Sequence, residues 1–141
     1  MNYIKIFIVT EEQYTKAIAR LVEIVSWRTG ASRVAAQVLL SAYNGYNWQV
    51  DISELGILDP DIFDAAVTVI IGRVRLGIEP HTVIENGQDV FEDMAERYQR
   101  LRVEHRWKQD CRRCNGRGII YTDPDDDSSE ETCPVCEGQG Y

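Results

Sequence analysis

The feature that most limits how this chain can fold is an eight-residue unit written twice. Cys111-Arg-Arg-Cys114-Asn-Gly-Arg-Gly118 returns as Cys133-Pro-Val-Cys136-Glu-Gly-Gln-Gly140. Both read Cys-x-x-Cys-x-Gly-x-Gly. A Cys-x-x-Cys turn brings two sulfurs onto one metal ion, and two such turns fill the tetrahedral shell of zinc, with Zn–S bonds near about 2.3 Å. The glycines can take positive φ without a Cβ clash. They let the chain fold back and aim backbone N–H groups at the sulfurs, contacts that orient and tune a metal site. All four cysteines of the chain belong to the pattern. A closed four-sulfur shell is structural, because a catalytic zinc keeps an open position. Cys111, Cys114, Cys133 and Cys136 are therefore the expected ligands of one structural Zn²⁺ per chain.

Two rivals stand beside zinc. Paired disulfides would suit an oxidising compartment. A thioredoxin-like redox site is suggested by any Cys-x-x-Cys, although no βαβ pattern surrounds this one and the repeated glycines would have no role. His81 and His105 lie outside the unit and read as ordinary core or surface histidines. The cysteine segment is too small to bury a core of its own. Zinc would supply its folding free energy, roughly 10–16 kcal/mol in small finger peptides.

The formal net charge is −8, which keeps a protein soluble and works against bulk nucleic-acid binding. The charge is uneven. Arg97, Arg100, Arg102, Arg106, Lys108, Arg112, Arg113 and Arg117 are opposed within their segment only by Glu104 and Asp110. Asp123, Asp125, Asp126, Asp127, Glu130 and Glu131 then make an acidic loop over 123–131, with a turn-forming Pro124 and no apolar side chain. Its composition predicts mobility.

Ahead of the cysteines the pattern is helical. Residues 3–9 are β-branched and aromatic and predict a short strand, which needs a partner. Thr10 with Gln13 three residues on forms a capping box, and apolar residues from Tyr14 to Val25 recur at helical spacing. This predicts a helix over about 10–28, stopped by Gly30. Ser32 is expected to cap a second helix, over 32–44. Asp51 to Leu55 reads as one helical turn. Asp59-Pro60 opens a third helix, over 60–76. Its broad apolar set (Ile62, Phe63, Ala66, Val67, Val69, Ile70, Val74) marks it as the central, most buried one. A fourth helix is expected over 88–107, its stripe running from Phe91 through Met94, Tyr98 and Leu101 to His105.

The fold class is thus mainly α: a compact four-helix domain with a short N-terminal strand and a C-terminal zinc-knuckle β-hairpin. A helical domain spans 1–107 and a four-cysteine zinc module 108–141. A 44% hydrophobic composition suffices for one such core. No apolar run approaches the ~18 residues of a membrane span, so no membrane partner is expected. Met1 to Val9 carries Lys5 and no small-residue cleavage site, a poor signal peptide. A cytoplasmic location in a bacterial host cell is expected.

The duplicated unit resembles the cysteine-rich domain of DnaJ chaperones. That resemblance implies zinc binding, and without a His-Pro-Asp signature it implies no co-chaperone activity. The layout is more similar to the zinc region of the Q antitermination proteins of lambda-like phages, where two such units also flank a charged loop; this resemblance implies an antiterminator-like role. From Ala17 to Tyr98 the chain looks like an uncharacterised family of small proteobacterial and prophage proteins. Arg33-Val34-Ala35, Leu39 to Asn44 and Val50 to Leu55 carry that match, which implies a bacterial or phage origin.

No phosphate-binding glycine loop, His-Glu-x-x-His or nucleophile elbow is present. Asp59, Asp61 and Asp64 sit at a helix start, where the dipole accounts for them. The chain is expected to be no enzyme but a small phage- or prophage-encoded accessory protein. It would bind a host protein complex through a zinc-stabilised surface, with Tyr43, Tyr46 and Trp48 as candidate anchors. The alternative is a nucleic-acid or transcription-complex regulator using the basic segment 97–117, with Arg106, Lys108, Arg112, Arg113 and Arg117 as candidate binding residues. The strand over 3–9 permits a homodimer.

Overall fold

A computed structural model of the protein describes residues 8–106 and 108–141. They form two compact units, divided between Tyr98 and Gln99. The strand expected over 3–9 lies largely outside the described residues, and Ile8 and Val9 are in no strand.

The first unit holds four α-helices: α1 (Glu11–Val25), α2 (Gly30–Tyr43), α3 (Pro60–Leu76) and α4 (Gly87–Arg97). Thr10 caps α1 with the reciprocal box its sequence predicts: its hydroxyl accepts from Gln13 N, and Gln13 Oε1 accepts from Thr10 N. The second helix differs from expectation. Thr29, not Ser32, is its cap, and Gly30 opens α2 rather than closing α1. Ser32 is buried in the first turn. Its hydroxyl accepts from Thr29 N and donates to Ile24 O at 2.6 Å, tying α2 to the end of α1. Arg28 absorbs the reversal at φ +58°.

The centre of this unit is also displaced from expectation. In α2 eight residues are buried, among them Val34, Ala35, Val38, Leu39 and Leu40. In α3 only Ile62, Ala66, Val69 and Gly72 are; Phe63 and Val74 are exposed. α2 packs against α1, α3 and α4, so it is the helix surrounded on most sides. Its Gln37, 1% exposed, accepts from Asp51 N and donates to Glu54, fastening the 3-10 turn Ile52–Ile57. A buried amide is stable only when so satisfied. α3 meets α1 at Gly72, where a Cβ would stand 2.4 Å from the Tyr14 ring. Tyr14 is fully buried, and its hydroxyl donates to Ile78 O at 2.8 Å. Burial pushes the phenol up to about 12, against the pull of nearby Arg73.

The fourth helix is shorter than the 88–107 expected. It ends at Arg97 and is succeeded by 3-10 turns at Gln99–Leu101 and Val103–His105. The break lets the Arg100 guanidinium donate to the carbonyls of His105 and Lys108. In a continuous helix an Arg100 side chain would lean back toward the N-terminus, while the carbonyl of residue 108 would lie roughly 12 Å further on. The chain must turn back for these bonds to form.

In the second unit β1 (Ile119–Tyr121) pairs antiparallel with β2 (Glu130–Thr132), in the register Ile119↔Thr132, Ile120↔Glu131 and Tyr121↔Glu130. The acidic loop between them is closed by its own hydrogen bonds. Asp123 Oδ1 accepts from Asp125 N, Asp126 Oδ1 from Ser128, and Ser129 Oγ donates to Asp123 O. No helix of the described residues is long and apolar enough to cross a membrane.

Candidate metal centre

The hairpin sets its two ends side by side, and each end carries one Cys-x-x-Cys turn. All four sulfurs lie within 4.8 Å of one another. Cys111 Sγ is 3.9 Å from Cys133 Sγ, and Cys114 Sγ is 3.7 Å from Cys136 Sγ. A tetrahedron of sulfurs around one ion with bonds near 2.3 Å has an edge of about 3.8 Å. None of the four is in a disulfide. Cys133 is 0% exposed and the other three at most 9%, with Ile120 packed against them. Four thiol-bearing residues converge on one buried point, and they could hold a metal ion there.

The backbone explains why the glycines stand where they do. The two units are related by a pseudo-two-fold offset of 22 residues. Gly118 N donates to Cys114 Sγ and Gly140 N donates to Cys136 Sγ, each at 3.2 Å. Across the axis Cys111 N donates to Gly140 O and Cys133 N to Gly118 O, each at 2.8 Å. To make both contacts Gly118 and Gly140 hold φ at +77° and +84°. A Cβ on either would stand 2.3 Å or 2.5 Å from the carbonyl oxygen of Gly138 or Gly116. Only glycine fits, and the reciprocity means that each half of the site holds the other.

The sulfurs are not electrically alike. Burial pushes the Cys114 thiol up to about 11, although the Gly118 N–H acts the other way. Burial also raises Cys133, but the N–H groups of Cys136 and Val135 and the neighbouring thiols outweigh it and bring that thiol down to about 7. A metal ion must displace the protons that remain.

The basic residues divide into two sets. Arg112, Arg113 and Arg117 are exposed on the first cysteine unit, and their guanidinium groups have no partner among the described residues. Those before the cysteines are engaged. Arg100 forms an ion pair with Asp110 at 2.7 Å, Arg102 lies 2.8 Å from Glu104, Arg106 Nε donates to Leu101 O at 3.1 Å, and the Lys108 ammonium lies 3.7 Å from the centre of the Tyr141 ring. Arg97 belongs to the first unit. The meeting of Arg100, Asp110 and Tyr141 escaped the sequence reading, because nothing in local spacing shows it.

The aromatic anchors separate too. Trp48, 4% exposed, is core; Tyr43 is half-buried, packed on Phe91 and His81; Tyr46 is 91% exposed. Asp59, Asp61 and Asp64 are exposed at the start of α3, and Asp61 lies 3.5 Å from Arg20.

A family model described as a family of unknown function (DUF7673) matches residues 15–99, more than half of the 141 residues, and the chain belongs to that family. The match covers the helical unit, including the stretch from Ala17 to Tyr98 read as family-like, and stops before the first cysteine. No curated protein and no solved structure matches the chain, so no similarity to the Q or DnaJ proteins is shown.

Proposed function

We propose that this member of a family of unknown function is a small, non-enzymatic accessory protein that holds one structural zinc ion and uses the zinc-built unit to bind a partner protein. A tetrathiolate shell with sulfur spacings near the tetrahedral edge favours zinc among the common metals. With four protein ligands on the ion, no position remains for a reacting water, and the ion's contribution is folding free energy. The observation that carries the reading is the contrast across the cysteine turns. The sulfurs are buried, while Arg112, Arg113, Pro134, Val135, Glu137 and Gln139 around them are all exposed. Val135, at 69% exposure, is the apolar contact such a surface offers. The partner on this reading is a host protein complex in a bacterial cytoplasm, and the protein is phage- or prophage-encoded.

The test is a tagged pull-down from bacterial lysate with and without nuclease, repeated with Cys133→Ser/Cys136→Ser. A partner that survives nuclease and is lost with the double substitution supports the reading. A partner indifferent to the cysteines contradicts it.

The three unpaired arginines favour a second reading, an antiterminator-like regulator that binds nucleic acid. Three phosphate contacts would weaken duplex binding roughly 40-fold between 50 and 200 mM salt. Arg112→Glu/Arg113→Glu would remove most of that slope. Absence of DNA and RNA binding at low salt would eliminate this reading.

A further inference from the structure

The two halves of the metal site share a backbone form but differ in their continuation. After Gly118 the chain runs into β1. The residue after Gly140 is Tyr141, and its ring is the floor on which the segment before the cysteines rests. The Lys108 ammonium lies 3.7 Å from the ring centre, the His105 ring 5.0 Å and the Arg100 guanidinium 5.7 Å. Cations over an aromatic face are attracted by its quadrupole.

Arg100 joins this floor to both halves of the site. Its guanidinium donates to the carbonyls of His105 and Lys108 and pairs with Asp110. Asp110 lies against the first half: a Cβ on Gly116 would stand 2.7 Å from Asp110 Oδ1. The aliphatic stem of Arg100 lies against the second half, where a Cβ on Gly140 would stand 3.3 Å from its Cδ. Gly116 and Gly140 both hold positive φ, +81° and +84°, in the backbone that wraps the sulfurs. Arg100 thus touches both glycine turns, the first through its ion-pair partner Asp110 and the second through its own stem.

We propose that the metal ion does more than fold the cysteine turns: through Gly140 and Tyr141 it latches residues 99–106 and 108–110 in their folded-back form, and so controls how the basic segment is presented. This rests on the metal-binding reading of the four cysteines. Without the ion the glycine turns keep only their backbone bonds and the short β1–β2 ladder, too little to hold so small a unit. The Tyr141 floor under Lys108, His105 and Arg100 then goes, and Arg100 and Asp110 lose the turns they lie against. Arg106 and Lys108, two of the candidate binding residues, ride on this segment. Loss of metal therefore changes the binding surface beyond the cysteine turns. Tyr141 and Arg100 are positioning residues in this scheme.

Hydrogen exchange of the full chain, read by peptide mass spectrometry with bound metal and with chelator, tests it. Chelation is expected to speed exchange of the protected amides in both 99–110 and 111–140, by about tenfold or more, and to leave 11–97 unchanged. Tyr141→Ala is expected to keep its metal and the protection of 111–140 while losing that of 99–110. Tyr141→Phe, which keeps the ring, is expected to behave as wild type. If chelation affects 111–140 but leaves 99–110 protected, or if Tyr141→Ala leaves 99–110 as slow as wild type, the latch is refuted while the metal reading stands. If the chain binds no metal and chelator changes neither segment, both fall.

Discussion

Replacing Gly118 by alanine probes the site without touching a ligand. The added Cβ would meet Gly138 O at 2.3 Å, and the residue would be held at φ +77°. Left-handed backbone alone costs an L-residue about 1–2 kcal/mol. Relief of the overlap must shift the Gly138 peptide or Gly118 itself. Movement of Gly118 weakens its N–H bond to Cys114 Sγ, and a hydrogen bond to a charged group is worth about 1.5–3 kcal/mol. The sum, about 3–5 kcal/mol, falls on metal binding because the unit has no other core. Affinity should drop roughly 10²- to 10⁴-fold, as read by competition with a chromophoric chelator. Gly77→Ala is the control. Gly77 also holds positive φ, +67°, but nothing lies within 4 Å of the new Cβ and it caps α3. It should cost the helical unit about 1–2 kcal/mol and leave metal affinity alone. Wild-type metal affinity in Gly118→Ala would refute the reasoning.

The same contacts give three further outcomes. Gly72→Ala drives a Cβ into the Tyr14 ring and should cost about 1–3 kcal/mol by overpacking, lowering the melting temperature of the helices with metal content unchanged. Tyr14→Phe loses the bond to Ile78 O, worth about 0.5–1.5 kcal/mol. The folded-state phenol is raised from 10 to about 12, so its stabilising share is whole below pH 10 and lost as pH rises through 12; denaturant melts should show that alkaline loss in wild type and less of it in the variant. Acidification should release the metal, since protons compete for the same sulfurs. An ion-sensitive dye should report release that grows steadily as the solution is acidified, with no reversal at lower pH.

The features legible in the sequence were those that close within a few residues. The Thr10–Gln13 box, Pro60 at the start of α3 and the duplicated cysteine unit each carry their geometry in their own spacing. The start of α2 misled because Gly30, a common helix stop, is here the first helical residue, and the Thr29–Ser32 box is reciprocal without the usual acidic partner. The prominence of α3 misled because its apolar residues spread around the helix, whereas burial depends on how many neighbours surround it, and α2 has more. The end of α4 was out of reach altogether. The periodicity to His105 is real, but Arg100 finds its partners at Lys108, Asp110 and the ring of Tyr141, which no local pattern could announce. Gln37 was missed for the same reason, because its partners at Asp51 and Glu54 lie across a loop.

The most direct test of the account is the metal itself. Protein purified under reducing conditions should contain one zinc ion per chain by elemental analysis, and its removal should unfold the cysteine unit while the helical signal near 222 nm stays within roughly a tenth of its starting value, since α1 to α4 carry nearly all the α-helix among the described residues. Protein that carries no metal, and refolds no differently when zinc is supplied, would contradict it.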